Sequence, residues 1–109
     1  MEQFEKILGR DSPLFQSVKE RKYQTPSEIQ EKSIPKILEG KDVIALASTG
    51  SGKTLAFAAG LVKNVENYKG IQGLILVPTR ELAEQVTKEL RFFSKFKDLK
   101  VIAVYGGGS

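Results

Sequence analysis

Val43-Ile44-Ala45-Leu46-Ala47-Ser48-Thr49-Gly50-Ser51-Gly52-Lys53-Thr54 is the stretch that decides the fold. An unbroken apolar run over 43–47 reads as a strand buried on both faces, and it stops abruptly at a Ser/Thr/Gly cluster. Leu55, Ala58, Ala59, Leu61, Val62 and Val65 then recur at helical spacing, predicting a helix that ends near Tyr68 to Gly70. Between strand and helix, the glycines let backbone N–H groups converge on an anion without Cβ clashes, and the helix N-terminus adds partial positive charge. In that setting Lys53 reaches the β and γ phosphates of a nucleotide as a point charge, and the Thr54 hydroxyl ligates Mg²⁺. A flexible Gly/Ser loop with a solvated lysine is the bland alternative. It leaves the strand before and the helix after without a purpose.

Working outward, Gly73-Leu74-Ile75-Leu76-Val77 is a second buried strand, closed by Pro78. Leu82, Val86, Leu90 and Phe93 form a helical stripe, and Lys100-Val101-Ile102-Ala103-Val104-Tyr105 is a third strand running into Gly106-Gly107-Gly108-Ser109. Strand, helix, strand, helix, strand is the α/β pattern, with parallel strands and right-handed crossovers. Upstream, residues 1–40 read as helical. Ser12-Pro13 is a helix start followed by Leu14, Phe15 and Val18 on one face. Thr25-Pro26-Ser27-Glu28 has capping-box spacing with proline at the first helical position, and Pro35 is expected to break or restart that helix. The chain thus divides into a helical region, 1–40, and an α/β core, 41–109, forming one structural unit.

The 109 residues allow one small domain, and they contain no Cys and no His. Disulfides, thiol nucleophiles, imidazole bases and a Ser-His-Asp triad are thereby excluded within the chain. Seventeen Lys and Arg against thirteen Asp and Glu leave a net charge of +4, a mild preference for polyanionic partners. No apolar run approaches the ~18 residues a membrane span needs, and the N-terminal MEQFEKILGR carries acidic residues in place of the apolar core of a signal peptide. These features point to a cytoplasmic protein, or a nuclear one in a eukaryote, with no membrane partner.

The loop departs at one place from the pattern G-x-x-x-x-G-K-[ST], whose first position is Ala47 here. With alanine at that position it resembles the phosphate loop of DEAD-box ATP-dependent RNA helicases. Pro78-Thr79-Arg80-Glu81-Leu82-Ala83 is similar to that family's motif Ia, and Tyr23-Gln24-Thr25-Pro26-Ser27-Glu28-Ile29-Gln30 resembles its Q motif. Tyr105-Gly106-Gly107 resembles its GG motif. The resemblance implies a partial RecA-like (P-loop NTPase) parallel sheet with flanking helices, stopping before the strand that carries the acidic motif.

It also implies roles residue by residue. Gln30 would hydrogen-bond the adenine edge, with donor and acceptor on one neutral amide, and Tyr23 would stack on the base. Ser27 stands where the family has a threonine linked to the loop; Thr25 and Ser27 each keep helix capping as a second reading. Ala47, Ser48, Thr49, Gly50, Ser51, Gly52, Lys53 and Thr54 would hold ATP, with Mg²⁺ on Thr54. Thr79, Arg80, Gly106 and Gly107 would contact the sugar-phosphate backbone of a single RNA strand without reading its sequence. Arg80 has a surface salt bridge as its alternative, and Gly106 to Ser109 a flexible tail. Lys22 replaces the family's usual glycine. Phe4 has two readings, an isolated aromatic upstream of the Q motif or a core residue. Glu81 and Glu84 read as solvated, with Glu84 paired to Lys88 one helical turn on.

Family chemistry requires an acidic Asp-Glu pair that holds Mg²⁺ and orients the attacking water. No DEAD tetrad occurs in the 109 residues, so the expectation is ATP binding without turnover. In the family's topology the strand before the loop is separated from the motif Ia and GG strands by later strands. Uncovered strand edges, and self-association through them, are therefore expected. Two rival functions remain at this level, a small phosphotransferase sharing only the loop, and an RNA- or protein-binding module with no nucleotide role.

Overall fold

The computed structural model describes residues 1–21, 23–48, 50–66 and 70–107. The readings placed on Lys22, Thr49, Tyr68 and the Gly108-Ser109 end lie outside the described residues. Among the described residues five helices form: α1 (Glu2–Leu8), α2 (Pro13–Glu20), α3 (Glu28–Leu38), α4 (Lys53–Asn64) and α5 (Arg80–Phe93).

α2 starts as its sequence dictates. Pro13 occupies the first turn, and the Ser12 hydroxyl accepts from the Phe15 amide at 3.0 Å. α3 starts two residues later than the Thr25 reading expects, with Ser27 as its cap. The reason is a better reciprocal pair: Gln30 N–H donates to the Ser27 hydroxyl at 3.4 Å, and Ser27 N–H donates to Gln30 Oε1 at 2.9 Å. Pro35 does not break α3, which runs through it to Leu38. The proline ring sits on the exposed side while Ser33 and Ile34 are buried, and packing of Ile37 and Leu38 on the core outweighs the missing backbone bond.

α4 is shorter than its apolar spacing suggests. Val65 turns extended, with φ −78° and ψ 132°, and the Gln72 side chain grips the Glu66 backbone on both sides. It accepts from Glu66 N–H at 3.0 Å and donates to Glu66 C=O at 2.6 Å. α5 begins at Thr79, whose hydroxyl accepts from Leu82 N–H at 3.1 Å, and buries Val86, Leu90 and Phe93 as the stripe predicts.

These helices share one apolar core that draws Phe4, Leu14, Phe15, Val18 and Ile34 from residues 1–40, and Leu55, Ala58, Ala59, Val62, Val86, Leu90 and Phe93 from residues 41–109. α3 and α4 approach so closely that a Cβ on Gly60 would come within 2.7 Å of Ile37 Cγ2. α2 is pinned to α5 by the buried Ser17 hydroxyl, which donates to Leu14 O at 2.8 Å and Phe93 O at 3.2 Å. Arg21 adds a second link, lying 4.0 Å over the Phe92 ring and pairing with Glu89 at 3.0 Å.

The expected parallel sheet is where the structure departs most from the sequence reading. Among the described residues no strand forms. The three apolar runs are present, and two keep the alternation of a strand: Ile75 and Val77 are half-buried while Leu74 and Leu76 are exposed, and Val101, Ala103 and Tyr105 are half-buried while Ile102 and Val104 are exposed. One face of each therefore packs against helices. The missing ingredient is lateral: a strand's N–H and C=O groups need a neighbouring strand, and these three runs do not supply it to one another.

Candidate functional site

The loop over 47–54 is built by a turn of two left-handed glycines, Gly50 (φ 83°) and Gly52 (φ 92°), a conformation that a Cβ disfavours. Ser51 N–H donates to Ser48 O at 3.2 Å and tightens the turn. Gly52 is then the N-cap of α4, and no side chain caps that helix. α2, α3 and α5 each begin under a Ser or Thr hydroxyl, so α4 is the helix of eight or more residues whose first amides stay free of a side-chain acceptor. Such an end attracts anions.

Lys53 folds back over the loop and donates to Ala47 O at 2.8 Å. The ammonium is thus held beside the turn, and its side chain remains exposed. Thr54 follows, half-buried in the first turn of α4. Among the described residues, the Ser51 hydroxyl is buried without a hydrogen-bond partner. Buried polar atoms are rarely left so. Free helix-end amides, an ammonium, a threonine hydroxyl and this orphaned oxygen together form a donor set that fits a phosphate chain, with an oxygen available for a divalent cation.

α3 is wired directly into this loop. Ser27 Oγ donates to Ser51 O at 2.7 Å, while Gln30 Nε2 donates to Gly52 O at 3.2 Å. Gln30 is only 5% exposed, and its amide is shared between the Ser27 amide and the Gly52 carbonyl. A Cβ on Gly52 would stand 2.2 Å from Gln30 Nε2, so glycine is what permits the contact. Tyr23, half-buried, lies 6.1 Å from the Phe4 ring at a tilt of 31°. Phe4 is fully buried and takes the core role of its two readings.

The second cluster lies at the start of α5. Thr79 caps the helix, and Arg80 Nη2 donates to Gly106 O at 2.9 Å with its guanidinium 5.1 Å from the Tyr105 ring centre. Tyr105 OH donates to Glu84 Oε1 at 2.6 Å, and that carboxylate holds the phenol pKa above its ordinary value. The sequence reading gave Glu84 to Lys88; the structure gives it to Tyr105. The structure therefore brings Ser27, Gln30 and the loop into one assembly and Thr79, Arg80, Gly106 and Gly107 into another. Glu84 and Tyr105 are residues of the second assembly that sequence spacing does not reveal.

The family model for DEAD/DEAH box helicase matches residues 27–109. That match covers most of the chain. The chain belongs to the DEAD/DEAH box helicase family. Among curated DEAD-box relatives, the DEAD-box ATP-dependent RNA helicase RhpA of Helicobacter pylori is 46% identical over 102 residues, 94% of this chain and 21% of its own length. The chain thus spans about a fifth of that relative. Among solved structures, a DEAD box protein from the hyperthermophile Methanococcus jannaschii superposes with TM-score 0.84 at 39% identity, covering 91% of this chain and 27% of that one. A Saccharomyces cerevisiae Dbp5 variant bound to RNA and ADP BeF3 superposes at TM-score 0.81 and 30% identity, over 91% of this chain and 26% of its own. The residues matched by the family model, 27–109, include Ser27, Gln30, the loop, Arg80 and Gly106. Among the described residues, no helix of this DEAD-box chain is long and apolar enough to cross a membrane.

Proposed function

We propose that this chain is the ATP-binding and RNA-backbone-binding segment of an ATP-dependent RNA helicase, whose whole protein remodels or unwinds RNA. The observation that carries the reading is the double link from α3 to the loop: Ser27 to Ser51 O and Gln30 to Gly52 O. These bonds support the reading because a side-chain amide, which carries donor and acceptor together, touches the glycine turn at the start of α4. Tyr23 supplies the stacking face. Gly50, Ser51, Gly52 and Lys53 hold the phosphates, with Ala47, Ser48 and Thr49 completing the loop, and Thr54 offers its hydroxyl to Mg²⁺, which when bound neutralises phosphate charge. Thr79, Arg80, Gly106 and Gly107 take the RNA backbone, which positions the strand without reading its sequence. A cytoplasmic setting goes with this reading.

Titration with a non-hydrolysable ATP analogue and Mg²⁺ tests it. Binding that Gln30→Ala weakens more for adenine than for guanine nucleotides supports the helicase reading. Joint binding of AMP and ATP would favour a phosphotransferase, and no nucleotide binding would favour an RNA- or protein-binding module. The 109 residues are expected to bind ATP without hydrolysing it. An ATPase rate above background that disappears in Lys53→Ala would overturn that part.

A further inference from the structure

Arg80, Glu84 and Tyr105 make a closed chain of contacts between two segments more than twenty residues apart. Tyr105 OH donates to Glu84 Oε1 at 2.6 Å, the short distance of a charge-assisted bond. The Arg80 guanidinium lies 5.1 Å from the Tyr105 ring centre, and its Nη2 donates to Gly106 O at 2.9 Å. Gly107 follows with φ 82°, and a Cβ there would come within 3.2 Å of the same Nη2. Arg80 and Glu84 share one face of α5, four residues apart, so the Tyr105 ring lies between a cation and an anion on a rigid helix.

We propose that Glu84 and Tyr105 are positioning residues that, through Arg80, set the Gly106-Gly107 turn against the start of α5 so that the turn and Thr79 present one continuous surface to an RNA backbone. This inference rests on the RNA reading of that surface. Glu84 and Tyr105 do not themselves touch RNA. Glu84 and Arg80 are exposed and Tyr105 is half-buried, so the contacts do little for the core. On charge alone, a carboxylate beside a phosphate-binding surface is unfavourable. Its placement makes sense as an acceptor that fixes the tyrosine. The same carboxylate, by accepting the phenol proton's hydrogen bond, raises the Tyr105 pKa and so favours the donating form.

The sign of one substitution separates positioning from electrostatics. The probe is a single-stranded oligouridylate, titrated against the 109-residue chain by fluorescence anisotropy over a salt series. If Glu84 acts only through its charge, Glu84→Ala tightens binding. The strut instead requires Glu84→Ala and Tyr105→Phe each to weaken it about three- to tenfold, as for loss of a bond to a charged group. The double variant should be no worse than either single one, because both break the same contact. Glu84→Gln, neutral but still an acceptor, should recover most of the affinity. The slope of log affinity against log salt should stay unchanged, because no phosphate contact is removed. Amide shifts of Gly106 and Gly107 should move in Glu84→Ala and Tyr105→Phe before any RNA is added. Tighter binding by Glu84→Ala, additive losses, or unmoved glycine shifts would each overturn the inference while leaving the RNA reading intact. Failure of the unaltered chain to bind the oligouridylate would overturn both.

Discussion

Phe4, Val18, Ile34, Leu55 and Phe93 in the helices, and Ile44, Leu46, Leu74, Leu76, Ile102 and Val104 in the three apolar runs, share one chemistry and meet opposite fates. The first group is all but sealed from solvent; in the second, Ile44 is 96% and Leu46 94% exposed. Hydropathy does not distinguish them. A helix closes its own backbone hydrogen bonds and needs only one packed face, which α1 to α5 give one another. A strand of a buried parallel sheet needs neighbouring strands and a layer on each face. Burial follows the supply of covering elements.

The comparison breaks most visibly under truncation of side chains. Phe93→Ala or Phe4→Ala should cost about 3–5 kcal/mol, enough to unfold much of a chain this small, whereas Leu46→Ala and Leu76→Ala should stay within about 0.5 kcal/mol. Chemical denaturation of the four variants compares them directly, and a large loss for Leu46→Ala would show that the runs are covered after all. Next comes the junction between the two regions. Gly52→Ala meets both a left-handed φ and Gln30 at 2.2 Å, so it should cost about 1–3 kcal/mol in thermal melts and weaken ATP-analogue binding. Ser27→Ala removes the α3 cap and the bond to Ser51 O, with an expected cost of about 0.5–2 kcal/mol by the same melt.

The exposed runs carry their own signature. Exposed, unpaired apolar runs favour pairing with another chain, so the expected outcome is an apparent mass in size exclusion that rises with concentration. Leu46→Lys combined with Leu76→Lys should hold the chain monomeric, and an unaltered concentration dependence in that variant would locate the association elsewhere. The smallest effect is electrostatic. The Lys32 hydrogen bond lowers the Glu28 pKa on the solvent face of α3, and the same bond raises that of Lys32. The Glu28 contribution is present above the ordinary carboxylate value and is lost as pH falls through the lowered one. The Lys32 contribution is complete below the ordinary lysine value and is lost as pH rises through the raised one. Glu28→Gln should therefore lower stability slightly near neutrality and leave it unchanged at acid pH, flattening the acid limb of a stability-pH curve.

Much of this architecture is legible in the residues. Ser12-Pro13 fixes the start of α2, the Leu82 to Phe93 stripe fixes α5, and the glycine loop lies between an apolar run and a helix as its spacing requires. The errors share a cause. Local rules favour Thr25 as a cap and Pro35 as a break, and the tertiary setting overrides both: Ser27 also serves the loop, and core packing carries α3 past its proline. The absence of a parallel sheet among the described residues has a longer-range reason: a run can have strand composition and still lack partners. The pairing of Glu84 with Tyr105 links residues twenty-one apart through a turn, and no periodicity announces it.

The shared Gln30 amide has a consequence for measurement. Its oxygen serves α3 and its nitrogen serves the Gly52 carbonyl, so under the proposed function one planar group belongs to both the base-reading and the phosphate-holding halves of the site. Affinities for the two parts of a nucleotide, measured as nucleoside and as inorganic polyphosphate, then form a linked cycle whose sum differs from that of the intact molecule. The size of that difference would read out the stiffness of a single side chain.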